Sequence, residues 1–212
     1  MQTMAENAKT YYTIDGSIPT SSSKLYEVPF KLDTTAVITA ISIDKNGNVS
    51  IPVKAYFRFV SAKQEQGVKV QYYSGESLGW NHMPVFQSLQ SSHQWDSYEF
   101  ELNRDQVLSK LNHGNTTFGC KLESNIQIDE SGIFTFFLRS DDGSKLYIDD
   151  KEIINNDGDH GVIEKNGTVQ LKIGLHKIKV EYYNGSGGFW LNLLYKGPGI
   201  PKQIVPANKL IK

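Results

Sequence analysis

Ile133-Phe134-Thr135-Phe136-Phe137-Leu138-Arg139-Ser140-Asp141-Asp142-Gly143-Ser144-Lys145-Leu146-Tyr147-Ile148-Asp149-Asp150 carries two adjacent carboxylates between two alternating apolar runs. Apolar side chains at every second position suit a strand with one buried face. Asp141-Asp142-Gly143 breaks the alternation and reads as a connection between strands. Further along, Val169–Ile173, His176–Tyr182 and Phe189–Tyr195 repeat the same period, which predicts half-buried antiparallel strands. Gly132 and Gly174 fall at strand junctions, and Asp149-Asp150-Lys151 is expected to be a hairpin turn. Several such hairpins stacked face to face make a sandwich. A second polar run, Tyr183-Asn184-Gly185-Ser186-Gly187-Gly188, separates two of these strands and puts a carboxamide on another loop. Carboxylates and amides on loops supply the oxygen ligands that a hard cation or sugar hydroxyls require.

Composition agrees with β structure. The 212 residues include eleven Tyr, ten Phe and eighteen Gly, and helix-period patterns are nearly absent. A chain of this length can form one large domain or two small ones. The net charge of −1 comes with scattered lysines and arginines, so no polyanion is attracted and nucleic acid is not an expected partner. No long apolar segment is present, so membrane insertion is not expected either. Cys120 is the only cysteine, which rules out an internal disulfide and makes it a core residue by default. Met1 to Lys9 carry no export features before Thr10-Tyr11-Tyr12-Thr13 already reads as a strand, suggesting an excised piece of a longer exported protein.

The chain divides into two modules. Residues 10–60 form a small β unit, in which Asp15-Gly16-Ser17-Ile18-Pro19-Thr20 and Asp44-Lys45-Asn46-Gly47-Asn48 are turns and Ala36–Ile43 is a strand. Residues 61–66 are a polar linker, and residues 67–212 form the second module, opening on Gly67-Val68-Lys69-Val70-Gln71-Tyr72-Tyr73. Arg104 to Asn112 is expected to hold one short helix. The first module resembles the β module that follows the catalytic barrel of chitobiases and β-hexosaminidases, through Tyr12-Thr13, Asp15-Gly16-Ser17, Pro19-Thr20, Ser23, Tyr26, Pro29, Thr39-Ala40 and Gly47-Asn48-Val49-Ser50. Its matching residues are turn and core positions, so it is assigned a spacer role. The second module resembles the protective-antigen-type β-sandwich, the PA-fourteen domain, most strongly from Gly132 through Gly197-Pro198-Gly199-Ile200-Pro201 to Pro206. The expected fold is therefore all-β: an antiparallel, jelly-roll-type sandwich preceded by a small immunoglobulin-like β module.

That resemblance implies a site. In lectin-like members an Asp-Asp pair joined by a cis peptide, together with an Asn on a second loop, holds calcium against a glycan. Asp141, Asp142 and Asn184 occupy those positions, with Val180-Glu181-Tyr182-Tyr183 leading into the asparagine. Two carboxylates and one amide leave room for backbone carbonyls, water and sugar hydroxyls around a six- to eight-coordinate ion. Turn chemistry alone also accounts for Asp141-Asp142-Gly143. The chain departs from the flocculin pattern after Asn184, where Ser186, Gly187 and Gly188 replace the larger residues that select the sugar.

Other polar groups are weaker candidates. Asp157-Gly158-Asp159-His160-Gly161 reads as a solvated loop, with His160 or Asp157 available at the rim for sugar hydrogen bonds. Trp80 is the expected exposed stacking face, whereas Trp190 lies in a strand and is expected in the core. His93, His113 and His176 lack metal-ligand spacing, and Asp129, Glu130, Glu99 and Glu101 stand in no catalytic motif. Adjacent Asp141 and Asp142 do not suit a glycosidase pair, whose carboxyls flank the scissile bond. The resulting expectation is a non-catalytic, calcium-assisted carbohydrate-binding region of a secreted or surface-associated bacterial glycoside hydrolase, β-N-acetylhexosaminidase-like. Its partners would be oligosaccharide or polysaccharide glycans and an upstream catalytic domain, and its location extracellular, periplasmic or on the cell surface. The alternative is a ligand-free structural spacer.

Overall fold

The computed structural model describes residues 8–32, 36–57, 66–75, 80–102, 107 and 117–212. The chain separates into two compact units, residues 1–61 and 62–212. The expected linker at 61–66 lies outside the described residues except Gln66, which bridges Ile211 of the second unit. The helix expected over Arg104–Asn112 likewise lies outside them except Val107, which is buried in the core. No helix among the described residues is long and apolar enough to cross a membrane.

The first unit is a single antiparallel sheet of β1 (Lys9–Thr13), β2 (Lys24–Leu25), β3 (Ala36–Ile43) and β4 (Val53–Phe57), in the order β2-β1-β3-β4. Its turns are built by side chains. Asp44 Oδ1 accepts the backbone N–H groups of Asn46 and Asn48 at 2.8 and 2.9 Å, an arrangement in which the carboxylate replaces a backbone acceptor. Gly47 completes that turn at φ +84°, where a side chain would be strained. Tyr12 stacks on Phe30 with ring centres 4.8 Å apart, and Ala36, Ile38 and Ile41 are the buried aliphatics of this unit.

The second unit is an antiparallel sandwich. Its strands are β5 (Val68–Ser74), β6 (His93–Ser97), β7 (Glu101–Leu102), β8 (Phe118–Ile128), β9 (Gly132–Asp141), β10 (Ser144–Ile148), β11 (Lys151–Asn156), β12 (Ile163–Leu171), β13 (Gly174–Asn184), β14 (Trp190–Gly197), β15 (Ile200–Ile204) and β16 (Leu210–Ile211). One sheet runs β11-β10-β13-β8-β5-β6 with β16 also on β8; the other runs β12-β9-β14-β15 with β7 also on β14. Alternation sets what lies between them. Phe134, Phe136, Leu138, Leu191, Leu193 and Tyr195 point inward from one sheet and Leu122, Ile126, Leu146, Ile178, Val180 and Tyr182 from the other, all buried. Each such side chain contributes about 1.5–3 kcal/mol by leaving water. Cys120 belongs to this core, and burial pushes its thiol well above the usual range, as suits an inert residue.

Stacked hairpins are not what builds the sandwich. Between β8 and β15 only β10–β11 and β14–β15 are hairpins, while the connections β8–β9, β9–β10, β11–β12, β12–β13 and β13–β14 each pass from one sheet to the other. Alternation in the sequence reports which residues face inward, but it is silent about which sheet a strand joins.

Candidate functional site

The link Asp142-Gly143 is one of these inter-sheet crossings, because β9 and β10 lie in opposite sheets. It is a corner between layers rather than a hairpin turn, and the Asp141–Asp142 peptide is cis. Asp142 is only 4% exposed. Its Oδ1 accepts the His160 backbone N–H at 3.0 Å and its Oδ2 accepts that of Gly185 at 2.8 Å. One buried carboxylate thus fastens the corner to the 157–161 loop and to the 185–188 loop. Charge-assisted bonds to two backbone donors offset the cost of burying it.

The corner needs its glycine. A Cβ on Gly143 would lie 2.2 Å from Cε1 of Tyr183, whose own N–H donates to the Gly143 carbonyl at 2.9 Å. Below the acidic pair, Ser140 and Ser144 exchange a hydroxyl hydrogen bond of 2.6 Å across the corner, and Asn156 Nδ2 donates to Ser140 Oγ at 2.9 Å. The Tyr182 hydroxyl donates to the Asp141 carbonyl at 2.5 Å. β9, β10, β11 and β13 therefore meet at this end of the sandwich through hydrogen-bonded polar side chains beneath the acidic pair.

Asp141 is the more open member of the pair. Burial raises its pKa, the neighbouring Asp142 and Asp159 charges raise it further, and His160 opposes them. Asn184 ends β13 and is fully buried at the same end, opposite Phe118 in register. The chain then enters Gly185–Gly188, whose 185 carbonyl accepts the Thr117 hydroxyl at 2.6 Å. Among the described residues no three His, Cys, Asp or Glu side chains converge to hold a metal. Asp141, Asp142 and Asn184 offer two carboxylates and a carboxamide oxygen, beside the backbone carbonyls of the 185–188 loop. That set suits calcium, with the remaining positions left to water or hydroxyls, and does not suit a nitrogen- and sulfur-seeking ion.

The structure thus brings Asp141, Asp142, Asn184 and the His160 backbone together. Several expectations need correction. Asn184 is the buried last residue of a strand and not a loop residue. The His160 ring is turned toward its own segment, with Nδ1 2.8 Å from the Gly161 carbonyl oxygen and Nε2 3.1 Å from that of Asn156. Asp157 accepts the Met83 N–H at 2.7 Å and pairs with Lys145 at 3.3 Å, so it anchors the 81–83 segment. Trp80 is half-buried, with its ring over Gly75 and Gly119, and its carbonyl rather than its indole approaches Gly185. Trp190, expected in the core, is 46% exposed. Its parity was readable: Leu191, Leu193 and Tyr195 face inward, which turns Trp190 outward.

The PA14 domain model matches residues 64–209, which is more than half of the sequence. The chain belongs to the PA14 domain family. Residues 1–54 match the chitobiase/beta-hexosaminidase C-terminal domain, in the order expected. The PA14 sugar-binding domain from an RTX adhesin is similar at 17% identity and a TM-score of 0.59, covering 69% of this chain and 98% of that one. An anti-sigma factor domain-containing protein from Clostridium clariflavum is similar at 16% identity and a TM-score of 0.54, covering 96% of this chain and 79% of its own. The A domain of epithelial adhesin 6 from Candida glabrata, solved in complex with Galb1-3GlcNAc, is similar at 13% identity and a TM-score of 0.51, covering 72% and 89%. At these identities the likeness is one of fold. No curated protein matches the sequence.

Proposed function

We propose that this chain is a non-catalytic carbohydrate-binding region that engages glycan hydroxyls through calcium held by Asp141, Asp142 and Asn184. The observation that carries this reading is the Asp142 carboxylate, buried at a corner between sheets and bonded to two separate loops, with the more open Asp141 carboxylate beside it and Asn184 at the same end. Each Asp142 oxygen accepts one N–H and retains a lone pair for a cation. Structural neighbours described as a PA14 sugar-binding domain or solved with Galb1-3GlcNAc support the glycan part of this reading. A bound calcium would supply a positive centre for two vicinal hydroxyls, and the protein would fix its position and exclude competing water. Weak binding of this kind raises the effective concentration of glycan for whatever is tethered to the region.

The parent is proposed to be a secreted bacterial glycoside hydrolase of the β-N-acetylhexosaminidase type, because the first unit matches the C-terminal module of such enzymes. A second reading of the parent has its own support. The similar Clostridium clariflavum protein, whose match covers 96% of this chain, is an anti-sigma factor domain-containing protein, so the parent would on this reading be a regulator that uses this chain to bind glycan. Both readings keep the glycan as the ligand of this chain.

The test is binding of the whole chain to an oligosaccharide array with calcium and with a chelator, alongside calcium calorimetry. Calcium-dependent binding is the expected result. Absence of both calcium heat and glycan binding would return the chain to a spacer role, with the acidic pair a structural corner only.

A further inference from the structure

We infer that Trp190 is a sugar-stacking platform beside Asp141, holding a second pyranose next to the one engaged by the cation; the inference rests on the calcium-assisted reading of the acidic pair. The antiparallel register places Trp190 directly opposite Asp141 on neighbouring strands, so both side chains leave the same, outer face of the five-stranded sheet. The alternation of both strands agrees: Leu138, Ser140, Leu191 and Leu193 point into the core, and Trp190 remains 46% exposed. The core does not call on this indole, because its neighbour Phe189 packs there instead, edge-on to Phe118 at 5.1 Å. Among the described residues the loop leading into the ring leaves it uncovered. A Cβ on Gly187 or Gly188 would meet nothing within 4 Å, and Ser186 is exposed, so the loop that leads into Trp190 raises no side chain against it.

A half-exposed indole next to an open carboxylate has a defined complement. Cross-strand neighbours lie about 4.5–5.5 Å apart at Cβ, so a ligand covering the indole reaches the Asp141 carboxylate with its edge. A pyranose whose hydroxyls are mostly equatorial presents axial C–H groups on its face and hydroxyls around its rim. The C–H face removes apolar indole surface from water while the rim hydroxyls donate to the carboxylate. The next residue of the same oligosaccharide then lies at the acidic pair. With Phe189 turned to the core, Gly185, Ser186, Gly187 and Gly188 raise no bulky side chain beside the indole, and that becomes the feature that admits a chain of sugars rather than one terminal unit.

The experiment uses the whole chain and its Trp190→Ala and Trp190→Phe variants. Each is titrated with β-linked glucose, β-linked N-acetylglucosamine and α-linked mannose oligosaccharides of one, two and four units, with calcium and with a chelator. Calcium affinity is measured separately by calorimetry. The expected result is unchanged calcium affinity and melting temperature in both variants. Tetrasaccharide affinity should fall at least about 10-fold in Trp190→Ala and only a few-fold in Trp190→Phe, because an aromatic anchor dominates a small interface. Monosaccharide affinity should barely move. Equal tetrasaccharide affinity in wild type and Trp190→Ala, with calcium still required, would overturn the platform and leave the calcium site standing. Chelator-insensitive binding that is lost in Trp190→Ala would support the platform and overturn the calcium reading. No binding by the wild type to any member of the panel would overturn both.

Discussion

At the scale of single residues, Asp142 has a structural duty besides any ligand. Asp142→Asn replaces one carboxylate oxygen by an amide nitrogen that faces the N–H of His160 or Gly185, leaving a buried donor unmatched. The expected cost is about 1–3 kcal/mol of stability without calcium, read from urea unfolding in chelator. Asn184→Ala, at a fully buried position, should also lower stability and weaken calcium binding comparably. A second prediction concerns pH. Burial and the adjacent Asp142 and Asp159 charges hold the Asp141 pKa above the usual aspartate value, and calcium requires the ionised form. Calcium affinity should therefore begin to fall, as pH decreases, above the range where an ordinary aspartate titrates. Asp159→Asn removes a negative charge and should move that onset to lower pH; calorimetry at a series of pH values would show an unmoved onset if Asp159 plays no part.

At the scale of elements, the β10–β11 hairpin turns on Asp149 and Asp150, with φ +48° and +63°, a left-handed pair that aspartate tolerates better than most residues. Asp149 also ties this hairpin to β13. Its Oδ2 lies 2.6 Å from His176 Nδ1 and its Oδ1 accepts the Lys177 N–H at 3.0 Å, while His176 Nε2 lies 2.9 Å from the Lys172 carbonyl oxygen. Burial works against a charged His176 ring, but its bonds to Asp149 and Lys172 prevail and raise its pKa above the ordinary value of 6.5. A raised folded-state pKa means that the charged ring stabilises the fold fully below the unfolded value, and that this contribution is lost as pH rises through the folded one. The stability advantage of wild type over His176→Gln should thus be greatest near pH 5 and shrink toward pH 8 or 9. Equal denaturant midpoint differences across that interval would argue against the clamp. The turn was legible in Asp149-Asp150, but its partner His176 was not, because the two lie 27 residues apart and only the pairing of β10 with β13 brings them together.

At the scale of the whole molecule, the two units hold very unequal cores. The sandwich buries aromatic and aliphatic side chains from both sheets in one cluster. The single sheet of the first unit buries Ala36, Ile38 and Ile41 while leaving Ile51, Val53 and Phe57 exposed. Since stability follows buried apolar area, the chain should unfold in two calorimetric transitions, the first belonging to residues 1–61. Residues 62–212 alone should reproduce the upper transition at the same temperature. A single cooperative transition in the whole chain, or a large drop in the upper one on truncation, would show that the units depend on each other.

Fold class was legible from the residues alone, because period-two alternation and turn residues are local and each strand states its own inward face. The order of the two modules was legible as well, and residues that stand at family positions singled out Asp141, Asp142 and Asn184 as candidate ligands. It took the folded chain to show that Asp142-Gly143 joins two sheets, that Asp142 is pinned by His160 and Gly185, and that Trp190 stands beside Asp141 while Trp80 packs over glycines. The physical reason is common to all of these. Local pattern encodes the face of a strand, whereas a site is made by which strands become neighbours, and that choice rests on the packing of side chains distant in the chain.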